Sequence, residues 1–154
     1  MPASREFPDA PRVGVGAIVL DGDRVLLARR GQAPSVGRWS VPGGLVDLGE
    51  RLEDAVVREV HEESGLRVRL LGFCGVIDRV ILEQDAVRYH YVIIDYVAEP
   101  VGGQLEAGSD AAEVRWVPVN ELAQYDCTDG LIDMIQRALA IHRTISSQPG
   151  GAHR

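Results

Sequence analysis

Apolar residues in the first third of the chain fall into short β-favouring runs, Val13 to Leu20 (VGVGAIVL) and Arg24 to Arg30 (RVLLARR), parted by Asp21-Gly22-Asp23. Two strands joined by a short hairpin are expected. Gly31 to Arg38 reads as a loop, and Trp39 to Leu45 (WSVPGGL) as a short strand interrupted by Pro42, with Gly43-Gly44 permitting close backbone approach. From Glu50 to Ser64 helix formers dominate, acids occupy the first turn and Gly65 stands ready to stop the helix. Leu66 to Ile77 and Arg88 to Val97 predict longer strands joined by a polar stretch, and Val114 to Val117 a further short one. Leu131, Ile135, Ala138, Leu139 and His142 share a face of a closing helix over Asp129 to Ile145.

This order is not a regular βαβ series, so the expected class is α/β in the layered, α+β sense: a central mixed sheet with helices on both sides. Residues 1–11 carry three prolines without periodicity, and residues 146–154 (SSQPGGAHR) are rich in Ser, Pro and Gly, so both ends read as flexible tails around one domain over 12–145. No internal repeat is visible.

Composition narrows the partners. With 154 residues, 45% of them hydrophobic, the chain suits a single core. A formal charge of -7 argues against a nucleic-acid polymer, since such binders gather excess Lys and Arg. A small polyanion stays compatible where a cation reverses the local field. Cys74 and Cys127 lack metal-ligand spacing and read as two small buried thiols, and neither a signal peptide nor a membrane-length apolar run is present. The cytoplasm is the expected compartment, with no membrane partner.

The segment from Gly44 to Leu66, GLVDLGERLEDAVVREVHEESGL, concentrates the candidate chemistry. On a helix Glu59 and Glu63 differ by about 40°, and Glu62 lies about 60° to the other side of Glu59, so the three project within about 100° of arc. Val56, Val57 and Val60 form the neighbouring stripe that can anchor the helix to a core. Crowded carboxylates must take up protons or bind cations. All-oxygen donors suit Mg²⁺ or Mn²⁺, which can neutralise a diphosphate. Arg58 can orient the acids or pair with Asp54 or Glu62. A solvated helix balancing Arg51, Arg58 and Arg67 would account for the charges alone, but not for the full spacing.

That spacing resembles the Nudix box: Gly, five residues, Glu, seven residues, Arg-Glu, an aliphatic residue, any residue, Glu-Glu, any residue, Gly, and an aliphatic residue. The matching positions are Gly44, Glu50, Arg58, Glu59, Val60, Glu62, Glu63, Gly65 and Leu66. A chance match in a chain this long is on the order of 10⁻⁷. Resemblance to the short bacterial branch of ADP-ribose pyrophosphatases and MutT-like proteins runs from Pro11 to about Arg143, including WSVPGG before the box and EVRWVP over residues 113–118.

The resemblance implies the α/β/α Nudix sandwich and a metal-dependent pyrophosphohydrolase acting on a nucleoside diphosphate linked to another group. Carried over by position, Glu59 and Glu63 are metal ligands, with Glu62 and the Gly43 or Gly44 carbonyl in support. Glu50 is a further, water-mediated ligand and Arg58 an orienting residue. The catalytic base would be a box glutamate, Glu59 or Glu62, or an acid of a late loop, Asp110 or Glu113. A homodimer is compatible with the family. Leu82 stands where many ADP-ribose-specific relatives have proline, which keeps a nucleoside-triphosphate pyrophosphatase beside an ADP-ribose or other nucleoside-diphosphate-sugar hydrolase. A catalytically silent nucleotide sensor is the alternative of another class.

Other residues carry two readings each. Arg29 and Arg30, ending a strand before a Gly-containing loop, serve phosphate contact or solubility. Trp39 serves base stacking or packing. Arg88, Tyr89, His90 and Tyr91 alternate, so one pair could read a substrate, with Arg88 and His90 the candidates.

Overall fold

The computed structural model describes residues 5–108 and 110–147; the expectations for residues 1–4 and 148–154, the outer parts of the two tails, lie outside the described residues. Seven strands form a mixed sheet: β1 (Arg12–Asp21), β2 (Arg24–Arg30), β3 (Trp39–Ser40), β4 (Gly43–Leu45), β5 (Leu66–Glu83), β6 (Ala86–Gly103) and β7 (Ala111–Pro118). Helix α1 (Leu52–Ser64) precedes β5, while a 3-10 turn (Val119–Gln124) and α2 (Leu131–Ser146) close the chain. The main path runs β3-β2-β1-β6-β5, with β4 beside β1 and β7 beside β2.

β1 decides the architecture. It pairs in parallel with β6 from Arg12 to Val19, accepts the short β4 antiparallel at Gly14 to Gly16, and turns at Leu20–Asp21 into the hairpin with β2. Its apolar run is buried on both faces because each face meets a helix. Val15, Ala17 and Val19 pack with Leu26, Val68, Ala98 and the Ala55, Val56 and Val60 stripe of α1. Ile18 and Leu20 pack with Leu27, Val97, Val117 and Leu131, Met134, Ile135 and Ala138 of α2. A mixed sheet between two helical layers is the expected α/β/α sandwich.

Strand lengths depart from expectation. β5 and β6 each run 18 residues and meet in a tight turn in which Gln84 takes φ 56°. The polar residues 78–87 therefore lie largely within the hairpin. Their ladder continues past the core because main-chain pairing does not require apolar side chains, as the Asp78↔Val92 and Val80↔His90 pairs show. β7 likewise extends over Ala111–Pro118 because β2 pairs along its length. α1 starts at Leu52, not Glu50: Glu50 closes a turn on Asp47 O at 2.9 Å and sends its side chain elsewhere. At the N-terminal end, the Phe7 amide donates to Arg88 O at 2.7 Å, laying residues 5–7 beside β6. No described helix is long and apolar enough to cross a membrane.

Candidate active site

The site forms where β4 passes beneath α1. β4 lies so close to β1 that a Cβ at Gly43 would strike Val15 O and Gly16 Cα, and a Cβ at Gly44 would fall within 3 Å of Cδ and both oxygens of Glu59. Two consecutive glycines thus let the sheet backbone approach the acidic edge of the helix.

Arg58 organises that edge. Its Nε and Nη2 each donate to a Glu50 oxygen at 2.8 Å, its Nη1 donates to Glu59 at 2.6 Å and to Glu62 at 3.0 Å, and Nη2 also reaches Leu45 O at 3.2 Å. Asp47 adds an ion pair at 3.6 Å. Asp54, the other partner considered, takes no part in these contacts. The guanidinium fork holds Glu50 down to about 2, chiefly by hydrogen bonding, helped by the Asp47 amide.

Glu63 is held differently. Burial pushes its carboxyl up to about 7, reinforced by the charge of Glu59 and opposed by a Gly43 backbone hydrogen bond and by Arg30. Burial also raises Glu59, against its bond to Arg58. The C-terminal end of α1 then recruits a distant loop. Glu106 N–H donates to Ser64 O at 2.8 Å and Gly108 N–H to Glu63 O at 2.9 Å, satisfying carbonyls that the helix leaves free. Asp110 is thereby carried to the mouth of the cavity, where its charge acts on both Glu59 and Glu63.

One cavity joins these parts. Its acidic wall is Glu59, Glu63 and Asp110; Arg5, Arg29, Arg30 and Arg79 also line it. Its apolar lining includes Val41, Ile77, Tyr91, Ile93 and Leu131.

With this geometry established, the NUDIX domain family model matches residues 10–138. The chain belongs to the NUDIX family. It is 37% identical over 112 residues to the ADP-ribose pyrophosphatase of Methanocaldococcus jannaschii, covering 73% of this chain and 64% of that protein. It is 30% identical over 123 residues to a MutT-like protein of Streptomyces ambofaciens, covering 80% of this chain and 74% of that one. The crystal structure of a MutT NUDIX hydrolase from Burkholderia pseudomallei superposes with a TM-score of 0.74 at 30% identity, covering 84% of this chain and 98% of that one. The chain therefore spans a little under two thirds of the length of the first relative.

Within this NUDIX site the residues expected from sequence divide sharply. Gly43, Gly44, Glu59, Glu63, Asp110, Arg29 and Arg30 share the cavity, while Glu50, Glu62 and Arg58 form the network that borders it. Four others stand elsewhere. Glu113 lies in β7, opposite Arg29 and bonded to Arg115, outside the cavity lining. Trp39 is 9% exposed, edge-on to Tyr125 with their centroids 5.3 Å apart, and is core. Strand alternation directs Tyr91 into the cavity; Arg88 pairs with Glu83 and Glu6, and His90 with Asp78 at 3.0 Å. Of the four alternating residues, Tyr91 is thus the one that lines the cavity.

Three charged cavity residues were not singled out from sequence: Arg5, Arg79 and Asp95. Asp95 left a trace, a single acid inside the apolar run VIIDYV. Arg79 lies in the stretch read as a polar connection, and Arg5 in a segment without periodicity.

NUDIX proteins are in general divalent-metal dependent, and the donor set here fits such an ion. Glu59 rests in the space that a Gly44 side chain would fill, and Glu63 is a crowded acid beside it. Among the described residues no three potential ligands already converge, because Glu50, Glu59 and Glu62 all turn onto Arg58.

Proposed function

We propose that this chain is a pyrophosphohydrolase that splits a nucleoside diphosphate linked to another moiety, with ADP-ribose or another nucleoside diphosphate sugar as first substrate. One observation carries the reading: a single cavity lined by Glu59, Glu63 and Asp110 and by Arg29 and Arg30. Such a lining offers places for both a cation and the phosphates it neutralises.

Glu59, Glu63 and the Gly43 or Gly44 carbonyl would hold Mg²⁺ or Mn²⁺, with Glu62 and Glu50 in support. When bound, such an ion neutralises diphosphate oxygens and polarises phosphorus. The chain supplies the rest. Arg58 keeps Glu50 ionised and orients Glu50, Glu59 and Glu62. Arg29 and Arg30 contact the phosphates, each with part of its guanidinium tied down: Arg30 Nε by Pro34 O at 2.6 Å, Arg29 by Glu113 at 3.7 Å. Asp110 is the base. Gln32 donates to its Oδ1 at 3.1 Å, leaving Oδ2 to take a proton from the attacking water. The -7 charge supports a small nucleotide derivative over a polymer, and the free thiols Cys74 and Cys127 support a cytoplasmic setting.

Product analysis with Mg²⁺ against ADP-ribose, dGTP, oxidised dGTP and dinucleoside polyphosphates tests this function. Metal-dependent release of AMP and ribose 5-phosphate from ADP-ribose is the expected result. Turnover confined to nucleoside triphosphates would move the chain to the pyrophosphatase alternative. Tight binding of one compound with turnover of none would make it a sensor.

A further inference from the structure

Asp95 lies at the middle of β6, opposite Gly16 on β1 and opposite Gly75 on β5. Opposed residues on adjacent strands point to the same face, so Asp95 stands in a row whose two neighbours have no side chains. The gap on the β1 side cannot be filled: a Cβ at Gly16 would come 2.5 Å from Asp95 Oδ1. On the β5 side, a Cβ at Gly75 would meet Arg137 Nη1 at 2.7 Å and Met134 Sδ at 3.0 Å, so α2 occupies that space.

The residue is 2% exposed, and its Oδ1 is buried without a hydrogen-bond partner. A buried, unpartnered carboxylate oxygen is costly, and natural proteins rarely retain one without a use. Burial drives the carboxyl up to about 7, opposed by the charge of Arg79. Arg79 does not supply the missing bond; its Nη2 donates to Asp129 O at 2.8 Å and Asp95 Oδ1 stays unpartnered. What Asp95 faces is the cavity, among the aliphatic side chains of Val41, Ile77, Ile93 and Leu131. Those walls suit a flat heterocycle, and the unpartnered Asp95 oxygen offers it an acceptor.

We propose that Asp95 is a specificity-determining residue that accepts a hydrogen bond from an N–H on the pairing edge of the substrate's nucleobase. The inference rests on the proposed function for one element only, the placing of the phosphates at the arginine and glutamate rim. A site built around a buried acceptor rejects a ligand lacking the matching donor far more strongly than apolar shape alone can.

Equilibrium binding tests this without turnover. The full chain is titrated calorimetrically with AMP, GMP, CMP, UMP and purine riboside 5′-monophosphate, whose base has no N–H. The parent should bind at least one common mononucleotide about ten-fold or more tightly than the purine riboside compound. Asp95→Ala should bring that preference to within about two-fold.

Equal binding of all five, binding of none, or a ten-fold preference surviving in Asp95→Ala would overturn the assignment. So would an equal loss for every ligand, which would place Asp95 against ribose or phosphate. If the variant does not fold, the parent's comparison of common and donor-free bases decides alone. A protein that cleaves ADP-ribose but shows no base preference loses only this inference. One that selects a base and cleaves nothing loses only the hydrolase reading.

Discussion

Gly44 on β4 lies directly beneath the carboxylate of Glu59 on α1, in space that a β-carbon would occupy. The glycine matters because of what rests on it: any side chain there would push Glu59 off the floor of the cavity and away from Arg58. Gly44→Ala is therefore expected to leave the sandwich folded, to weaken Mg²⁺ binding and to lower kcat by about 100-fold. Gly72→Ala is the control, since its added carbon meets only Ile145 Cδ1 at 4.0 Å. Calorimetric metal titration and steady-state kinetics on both variants check the point; equal activity of the two would detach Gly44 from the site.

Arg58 holds its partners by geometry as much as by charge. Lysine preserves the charge but cannot give Glu50 two parallel bonds while also serving Glu59 and Glu62. Arg58→Lys should keep most of the stability and lose about 10- to 100-fold in kcat, mainly by letting the acids wander. Raising the Mg²⁺ concentration should recover part of that loss. Activity at the parent's level at every Mg²⁺ concentration would show that the network is structural only.

Of the two late acids, only Asp110 reaches the cavity. Asp110→Asn should reduce kcat by about 100-fold or more, while Glu113→Gln should stay within a few-fold of the parent. His90→Ala and Arg88→Ala should behave like Glu113→Gln, because their partners lie outside the cavity. A large effect at Glu113 with none at Asp110 would reverse the assignment of the base.

Buried carboxyls, Glu63 and Asp95 foremost and Glu59 in the same sense, make the metal-free protein lose stability as pH rises, and Glu50 makes it sensitive to acid. Glu63 and Asp95 are each raised to about 7 by burial, so the folded state holds their protons more tightly than the unfolded chain does. Stability should therefore be fullest below the ordinary carboxyl range and fall as pH rises toward 7. Glu50, held down to about 2 by Arg58, acts in the opposite sense: it stabilises above its ordinary value and loses that contribution as pH falls toward 2. Melting temperatures taken in chelator across this range should pass through a maximum near pH 4 to 5, at about the unperturbed carboxyl values. Glu63→Gln should flatten the alkaline slope, and Mg²⁺ should restore stability at pH 8. A slope unchanged in Glu63→Gln would count against the buried acid.

The helix and the layered class were readable because their causes are local. The Val56, Val57 and Val60 stripe, the acids of the first turn and Gly65 each act within a few residues, and α1 lies within two residues of its expected bounds. The long β5–β6 hairpin was under-read for the opposite reason. Its outer half is held by pairing with the neighbouring strand, so residues such as Asp78 and His90 carry no apolar pattern. Strand alternation predicted that Arg88 and His90 would separate from Tyr89 and Tyr91, but not which pair would face the cavity, since that depends on the side on which α2 packs.

By itself, then, the sequence determined the family, the two-sided core and the carboxylate edge of α1, because spacing along one helix already fixes direction. Tertiary structure alone decided the opposing wall and the late acid. Arg5, Arg79 and Asp95 lie on three separate segments, and Asp110 arrives only because the loop before β7 caps the end of α1. Contacts between segments far apart in the chain depend on register and packing, and neither is written in the periodicity of any one of them.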